Sequence, residues 1–216
     1  MPLFNYSTII ANLVRYIKPR FSIDPLLRDI REFLPKFAGM KAGDKVLDVC
    51  CGTGDQVFYY AKEGIIAFGI DLESNMIGRA ENDKRKIRTK NVFFQTADAT
   101  KLPFEDNFFD YVSISFALHE KENSIRDKVI SEMKRVVKQE GSFLFIDFYI
   151  PLPNNFYSYV IKSMEYFAGR DHFNCFKDYI KQGGLDKLLN KNQLREEKRS
   201  FFKNGNVVMI RARKSS

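Results

Sequence analysis

The stretch best equipped for chemistry is Asp48-Val49-Cys50-Cys51-Gly52-Thr53-Gly54-Asp55, directly behind the apolar pair Val46-Leu47. It reads as a buried strand running into a glycine turn that opens a helix. Without side chains at Gly52 and Gly54, backbone N–H groups can approach a small ligand closely. A second apolar run, Ile65-Ile66-Ala67-Phe68-Gly69-Ile70, ends in Asp71. An acid at the tip of the second strand is where a nucleotide-like ligand keeps its ribose hydroxyls. A carboxylate suits that task because it only accepts hydrogen bonds. The two features together specify a nucleoside-containing ligand. Asp48 lies inside the apolar strand, and a buried carboxylate is costly unless paired or hydrogen-bonded. Its functional reading is to order the glycine loop and the ligand's ammonium group; its plain reading is a structural acceptor.

The dinucleotide fingerprint requires a third glycine three residues after the second, and Val57 stands there. No Gly-Lys-Ser/Thr follows, so a phosphate-cradling loop is excluded as well. An adenosyl ligand without phosphates fits better. Asp48 to Asp55 resembles motif I of the class I S-adenosylmethionine-dependent methyltransferases, and is closest to the branch of ubiquinone/menaquinone C-methyltransferases. The resemblance spans Lys41 to Tyr149, and the carboxyl-terminal hairpin more weakly. It implies S-adenosylmethionine as cofactor and S-adenosylhomocysteine as product. It carries binding roles to Gly52, Thr53 and Gly54. Thr96 to Phe104 is similar to the family's adenine-binding segment, with the Asp98 side chain on the exocyclic amine and the Ala99 N–H on the ring. Ser115 matches a family contact near the sulfonium, and Phe116 covers the cofactor face. Cys50, Leu72 and Met76 complete the expected cofactor-binding set; Met76 packs on the adenine or, in the plainer reading, in the core.

His119 follows the strand where the transferred methyl should emerge, and His172 lies in an aromatic helical segment expected to cap the acceptor. Both are candidate bases, since a histidine near neutrality can take a substrate proton. Tyr149 and Tyr166 are further candidates. The resemblance implies a small acceptor, with a quinone-type ring carbon as the leading expectation: a base would ionise a phenolic hydroxyl and make the neighbouring carbon nucleophilic. An N- or O-methyltransferase of a lipid headgroup or small metabolite is the alternative. A nicotinamide oxidoreductase and a non-catalytic adenosyl-binding protein are rivals from other classes. Val57 and the terminal hairpin count against the first.

These residues need a scaffold. Leu3 to Ile17 has one apolar helical face, read as a lid over the ligand or, with Arg15, Lys18 and Arg20, as a membrane-surface anchor. Asp24-Pro25 starts a second helix through Leu34, closed by Gly39 and Gly43. Strands are expected at Val46–Cys50, Ile65–Asp71, Val92–Ala97, Phe109–Phe116 and Ser142–Tyr149. Helices are expected at Asp55–Glu63, from an N-cap at Ser74 to Ile87, and at Glu122–Lys138 with a stripe of Ile125, Val129, Ile130, Met133, Val136 and Val137. This alternation implies parallel strands with helices on both faces. Leu194–Phe202 and Val207–Arg213 form a hairpin around Asn204-Gly205. The fold expected with the resemblance is a single Rossmann-like three-layer α/β sandwich, its seven strands ordered 3-2-1-4-5-7-6 and mostly parallel, with an antiparallel carboxyl-terminal hairpin. Residues 1–40 would form a helical lid, 41–216 the methyltransferase domain, and 151–192 a helical substrate-cap insertion.

The 216 residues suffice for one α/β domain. The net charge of +8 fits attraction to anionic lipid headgroups better than to nucleic acid, because no aromatic-rich basic patch resembling an RNA-binding module accompanies it. Peripheral membrane contact is therefore an expected partnership beside the small-molecule acceptor. Three cysteines and two histidines give neither a disulfide framework nor a metal motif at ligand spacing. No metal is expected, and a reducing cytoplasm is the expected setting, with a membrane-peripheral location as its variant. The amino-terminal apolar residues have no basic n-region or small-residue cleavage site, so no signal peptide is expected, and no apolar run approaches the length of a membrane span.

Overall fold

A computed structural model describes residues 24–215; the expected helix Leu3–Ile17 lies outside the described residues. The chain runs α1 (Asp24–Ala38), β1 (Lys45–Val49), α2 (Asp55–Lys62), β2 (Ile66–Asp71), α3 (Ser74–Ile87), β3 (Val92–Thr96), β4 (Phe109–Ser115), α4 (Asn123–Val136) and β5 (Val137–Phe148). Three helices follow, α5 (Phe156–Ala168), α6 (Arg170–Lys181) and α7 (Gly184–Lys191), then β6 (Leu194–Phe202) and β7 (Val207–Lys214). The strands form one sheet ordered β3-β2-β1-β4-β5-β7-β6, as expected. The first five are parallel, and β7 pairs antiparallel with β5 and β6.

Strand alternation sorts the buried side chains into two layers. Val46, Leu144, Ile146 and Met209 face α1 and α2, where Ile30, Leu34, Phe37, Val57 and Tyr60 cover them. Leu47, Val49, Val112, Ile114, Phe143 and Phe145 face the other side, against Val129, Ile130 and Met133 of α4, Tyr179 of α6 and Leu185 and Leu188 of α7. Parity then fixes the polar strand residues. Asp48 shares the side of Val46, toward α1 and α2. Asp147 shares the side of Phe143 and Phe145, toward α6.

Two local expectations are corrected. The helix expected to reach Lys138 stops at Val136, and β5 starts at once at Val137 instead of Ser142. Val137 already pairs with Phe109 of β4, and a register shift before Tyr111 takes up the extra residues. A Cβ on Gly141 would stand 2.8 Å from the Asp110 carbonyl oxygen, so this close strand approach requires glycine. Ser74 is the first helical residue of α3, and Glu73 holds the N-cap position without a side-chain cap. The Glu73 N–H is instead taken by Asp71 Oδ1 at 2.9 Å, so the strand-tip acid organises this helix start.

Candidate active site

The parallel strands deliver their carboxyl ends to one edge of the molecule, and the loops there carry the expected site residues. Cys50, Gly52 and Gly54 adopt left-handed backbone, with φ of 59°, 54° and 78°. A turn this tight is pinned by the Cys51 N–H on Ile70 O at 2.8 Å and the Gly54 N–H on Cys51 O at 2.9 Å. Gly52 and Gly54 serve different ends. A Cβ on Gly52 would meet nothing within 4 Å, so its bare backbone faces open space. A Cβ on Gly54 would sit 2.4 Å from Phe94 Cζ, so that glycine serves packing against the sheet. Thr53 Oγ1 donates to Asp55 Oδ2 at 3.2 Å. Arg31 of α1 pairs with the same carboxylate at 3.2 Å and ties that helix to the loop.

Asp71 accepts from the Gly52 N–H at 2.8 Å through Oδ2 and from Glu73 through Oδ1. Each carboxylate oxygen has a second lone pair, so capacity for two hydroxyl donors remains. Leu72 is exposed and Met76 half-buried beside it. Asp48 is buried, accepting from Ser113 Oγ at 2.6 Å across the β1–β4 pair. Burial pushes its carboxyl up to about 7, against the opposing pull of Ser113 and Arg31 and with a further push from Asp71. It lies beneath the loop, between sheet and helices. Burial likewise raises the Cys50 thiol to about 11, opposed by Lys121. The Lys121 charge also lowers the Asp98 carboxyl, so one lysine acts on two expected cofactor residues, and no motif in the sequence marks it. Asp98 Oδ1 accepts from the backbone and hydroxyl of Thr100, both at 2.8 Å, which holds its carboxyl below the usual range. Ala99 is buried, Ser115 ends β4 half-buried, and Phe116 turns the chain with φ 52° and packs on Phe148.

Beyond Phe116 the fold assembles a polar cluster from distant parts of the chain. His119 is 2% exposed, and its Nδ1 lies 2.6 Å from Asp147 Oδ1. Asp147 Oδ2 also accepts the His119 backbone N–H at 3.3 Å, so one carboxylate fixes the residue twice. His119 Nε2 points at Glu165 Oε1, 3.6 Å away, and His172 Nε2 is 2.5 Å from Glu165 Oε2. Burial would lower the His119 pKa, but Asp147, Glu165 and Glu120 together raise it. Burial raises Glu165 in spite of both histidines. Phe148, Phe176 and Tyr179 wall in the His119 ring. Beneath it, the fully buried Arg126 donates to Leu118 O at 2.9 Å, Cys175 O at 2.8 Å and Asp178 Oδ2 at 2.8 Å. That guanidinium staples α4, α6 and the His119 loop together.

Thus Gly52, Asp71, Asp98, Ser115 and Phe116 all stand on one strand-end edge, with His119 and His172 joined at its β4–β5 end. The spacing that offered no metal motif is overtaken by tertiary packing, which draws His119, Glu165 and His172 to within 4.8 Å of one another.

Residues 26–155 match the model of the ubiE/COQ5 methyltransferase family. The chain belongs to that family. It is 37% identical over 112 residues to the demethylmenaquinone methyltransferase of Bacillus cereus (strain AH187), an overlap of 50% of this chain and 46% of the relative. The chain thus spans about half the length of the curated relatives it matches. Among solved structures it is similar to the PH0226 protein of Pyrococcus horikoshii OT3, with TM-score 0.70 and 23% identity, covering 88% of this chain and 90% of that one. It is also similar to a SAM-dependent methyltransferase of Aquifex aeolicus, with TM-score 0.65 and 21% identity, covering 95% and 97%. These two likenesses establish the fold. The family is one of methyltransferases, and the open Gly52 backbone beside the Asp71 carboxylate fits an S-adenosylmethionine cofactor. No helix among the described residues is long and apolar enough to cross a membrane.

Proposed function

We propose that this methyltransferase acts on a ring carbon of a small, hydroxyl-bearing aromatic acceptor of the quinol type. The observation that carries the reading is the His119–Asp147–Glu165–His172 cluster at the end of β4, next to Ser115 and Phe116. When bound, S-adenosylmethionine supplies an electrophilic methyl group on its sulfonium. Gly52, Thr53 and Gly54 hold its methionine end, with Asp48 and Cys50 bracing the turn from below. Asp71 takes the ribose hydroxyls, with Leu72 and Met76 along the adenine. Asp98 and Ala99 hold the adenine edge, and Ser115 and Phe116 close over the reacting end. The His119 and His172 cluster takes the proton of the acceptor hydroxyl and leaves the adjacent ring carbon electron-rich. A flat aromatic acceptor suits the half-buried Phe148 ring beside His119.

The helices α5 to α7 act as the acceptor cap. Phe156, Tyr159 and Tyr166 of α5 are 77%, 62% and 62% exposed, which suits shallow contact with a lipid surface from which an apolar acceptor is drawn. Similarity to a protein named demethylmenaquinone methyltransferase supports the acceptor class.

The test is transfer of an isotopically labelled methyl from S-adenosylmethionine to a reduced demethylated naphthoquinone, a catechol and an ethanolamine headgroup, with products identified by mass. The quinol is expected to gain a carbon-bound methyl. Substituting His119→Ala should lower kcat by roughly 10²–10⁴-fold and leave S-adenosylhomocysteine affinity within about twofold. Label confined to nitrogen or oxygen products would overturn the acceptor assignment.

A further inference from the structure

The sequence holds two histidines, and the fold aims both at one point. His119 comes from the loop after β4, His172 from α6 and Glu165 from α5, and their ligand atoms lie within 4.8 Å of one another. Glu120 Oε1 stands 3.9 Å from each imidazole Nε2, on the side open to solvent. Behind the group, Asp147 engages His119 Nδ1 at 2.6 Å. That contact keeps the proton on Nδ1 and turns the Nε2 lone pair forward. Metal-ligating histidines almost always carry such a partner.

We propose that His119, His172 and Glu165, with Glu120 at the open side, bind a divalent transition-metal ion. Two imidazoles and two carboxylates converge here, each with a ligand atom turned to the same point. A single cation satisfies them all. Four-coordinate zinc with bonds of about 2.0–2.1 Å sets its ligand atoms about 3.3 Å apart. The separations of 2.5, 3.6 and 3.9 Å bracket that value, and with every ligand atom of the three residues within 4.8 Å of the others, shifts of up to about 1.5 Å close the site. Imidazole with carboxylate selects zinc, iron or nickel over magnesium and calcium. The ion ties α5 and α6 to the end of the sheet. Its catalytic extension rests on the acceptor reading given above. A hydroxyl entering from the Glu120 side coordinates the ion in place of that carboxylate, its O–H bond breaks, and the proton passes to the released Glu120, which with the ion bound replaces the two histidines as the proton acceptor.

The full chain, stripped with a chelator and dialysed separately against Zn²⁺, Mn²⁺ and Mg²⁺, is assayed for bound metal by mass spectrometry, for melting temperature, and for visible absorption with Co²⁺. One equivalent of Zn²⁺, a raised melting temperature and a four-coordinate Co²⁺ spectrum are expected. All three should be lost in His172→Ala and Glu165→Gln, while S-adenosylhomocysteine affinity stays at the wild-type value and shows that the variants fold. Less than about a tenth of an equivalent of zinc, or equal uptake by the variants, would overturn the site. Stripped protein that transfers methyl groups at the full rate would overturn the catalytic extension. Zinc binding without transfer to any acceptor would leave the site standing and overturn the acceptor reading alone.

Discussion

Asp48 carries a cost that its surroundings only partly offset. It is buried, one hydroxyl answers it, and its carboxyl is raised to about 7. A folded-state pKa above the unfolded one means that the native state binds the proton more tightly. The stabilisation is full below about pH 4 and is lost as pH rises through about 7. The groups facing Asp48 are Ser113, Tyr60, Arg31, Asp71 and Cys51. Asp48→Asn keeps an acceptor for Ser113 and removes the titration. Its stability relative to wild type should therefore climb between about pH 4 and 7, by at most about 4 kcal/mol. Urea denaturation across that range checks this, and parallel pH profiles for the two proteins would refute it. The sequence marked Asp48 because a carboxylate interrupts an apolar run. Asp147 interrupts the run Phe143-Leu144-Phe145-Ile146 in the same way, and that signal went unused.

At the scale of elements, the cofactor edge depends on close packing between the glycine turn and β3. Gly54→Ala would press a methyl into Phe94 and place a side chain at φ 78°. The overpacking should cost about 1–3 kcal/mol, with about 1–2 kcal/mol more for the left-handed backbone. Phe94→Leu in the same background should recover the first part alone, measured by urea unfolding of both variants. Arg126 holds the other end. Arg126→Leu leaves the buried Leu118 carbonyl without its donor and frees the half-buried Cys175 carbonyl and Asp178 carboxylate, and should destabilise by about 1–3 kcal/mol. Strand order and helix faces were legible because periodicity and motif spacing act locally. Arg126 was legible in principle, since it precedes Val129 and Ile130 by three and four residues and so falls on the buried stripe. The extended start of β5 was not, because pairing with β4 outweighs the turn character of Gln139-Glu140-Gly141. The histidine cluster was not either. Residues 119, 147, 165 and 172 share no period, and only the docking of α5 and α6 brings them together.

At the scale of the molecule, the two ends of one crevice have different origins. The cofactor end is built from consecutive strand tips, which is why motifs reveal it. The end proposed to take the acceptor is built by α6 and α7 packing against β4 and β5 with α5 beside them, where sequence reading gave helices and no geometry. The net charge of +8 and the exposed aromatics of α5 predict co-sedimentation with anionic vesicles at low salt. That binding should weaken as added salt shortens the Debye length from about 10 Å at 0.1 M to about 3 Å at 1 M. Equal binding to neutral vesicles at both salt levels would point away from charge.

The account turns on an adenosyl ligand lying along the Gly52 turn and on the Asp71 carboxylate hydrogen-bonded to it. Calorimetric titration of S-adenosylhomocysteine into wild type and Asp71→Ala tests it most directly. Wild type should bind one equivalent, and the variant should bind about 10- to 150-fold more weakly, from the loss of about 1.5–3 kcal/mol of hydrogen bonding to a charged acceptor. Equal affinity in the two proteins would contradict it.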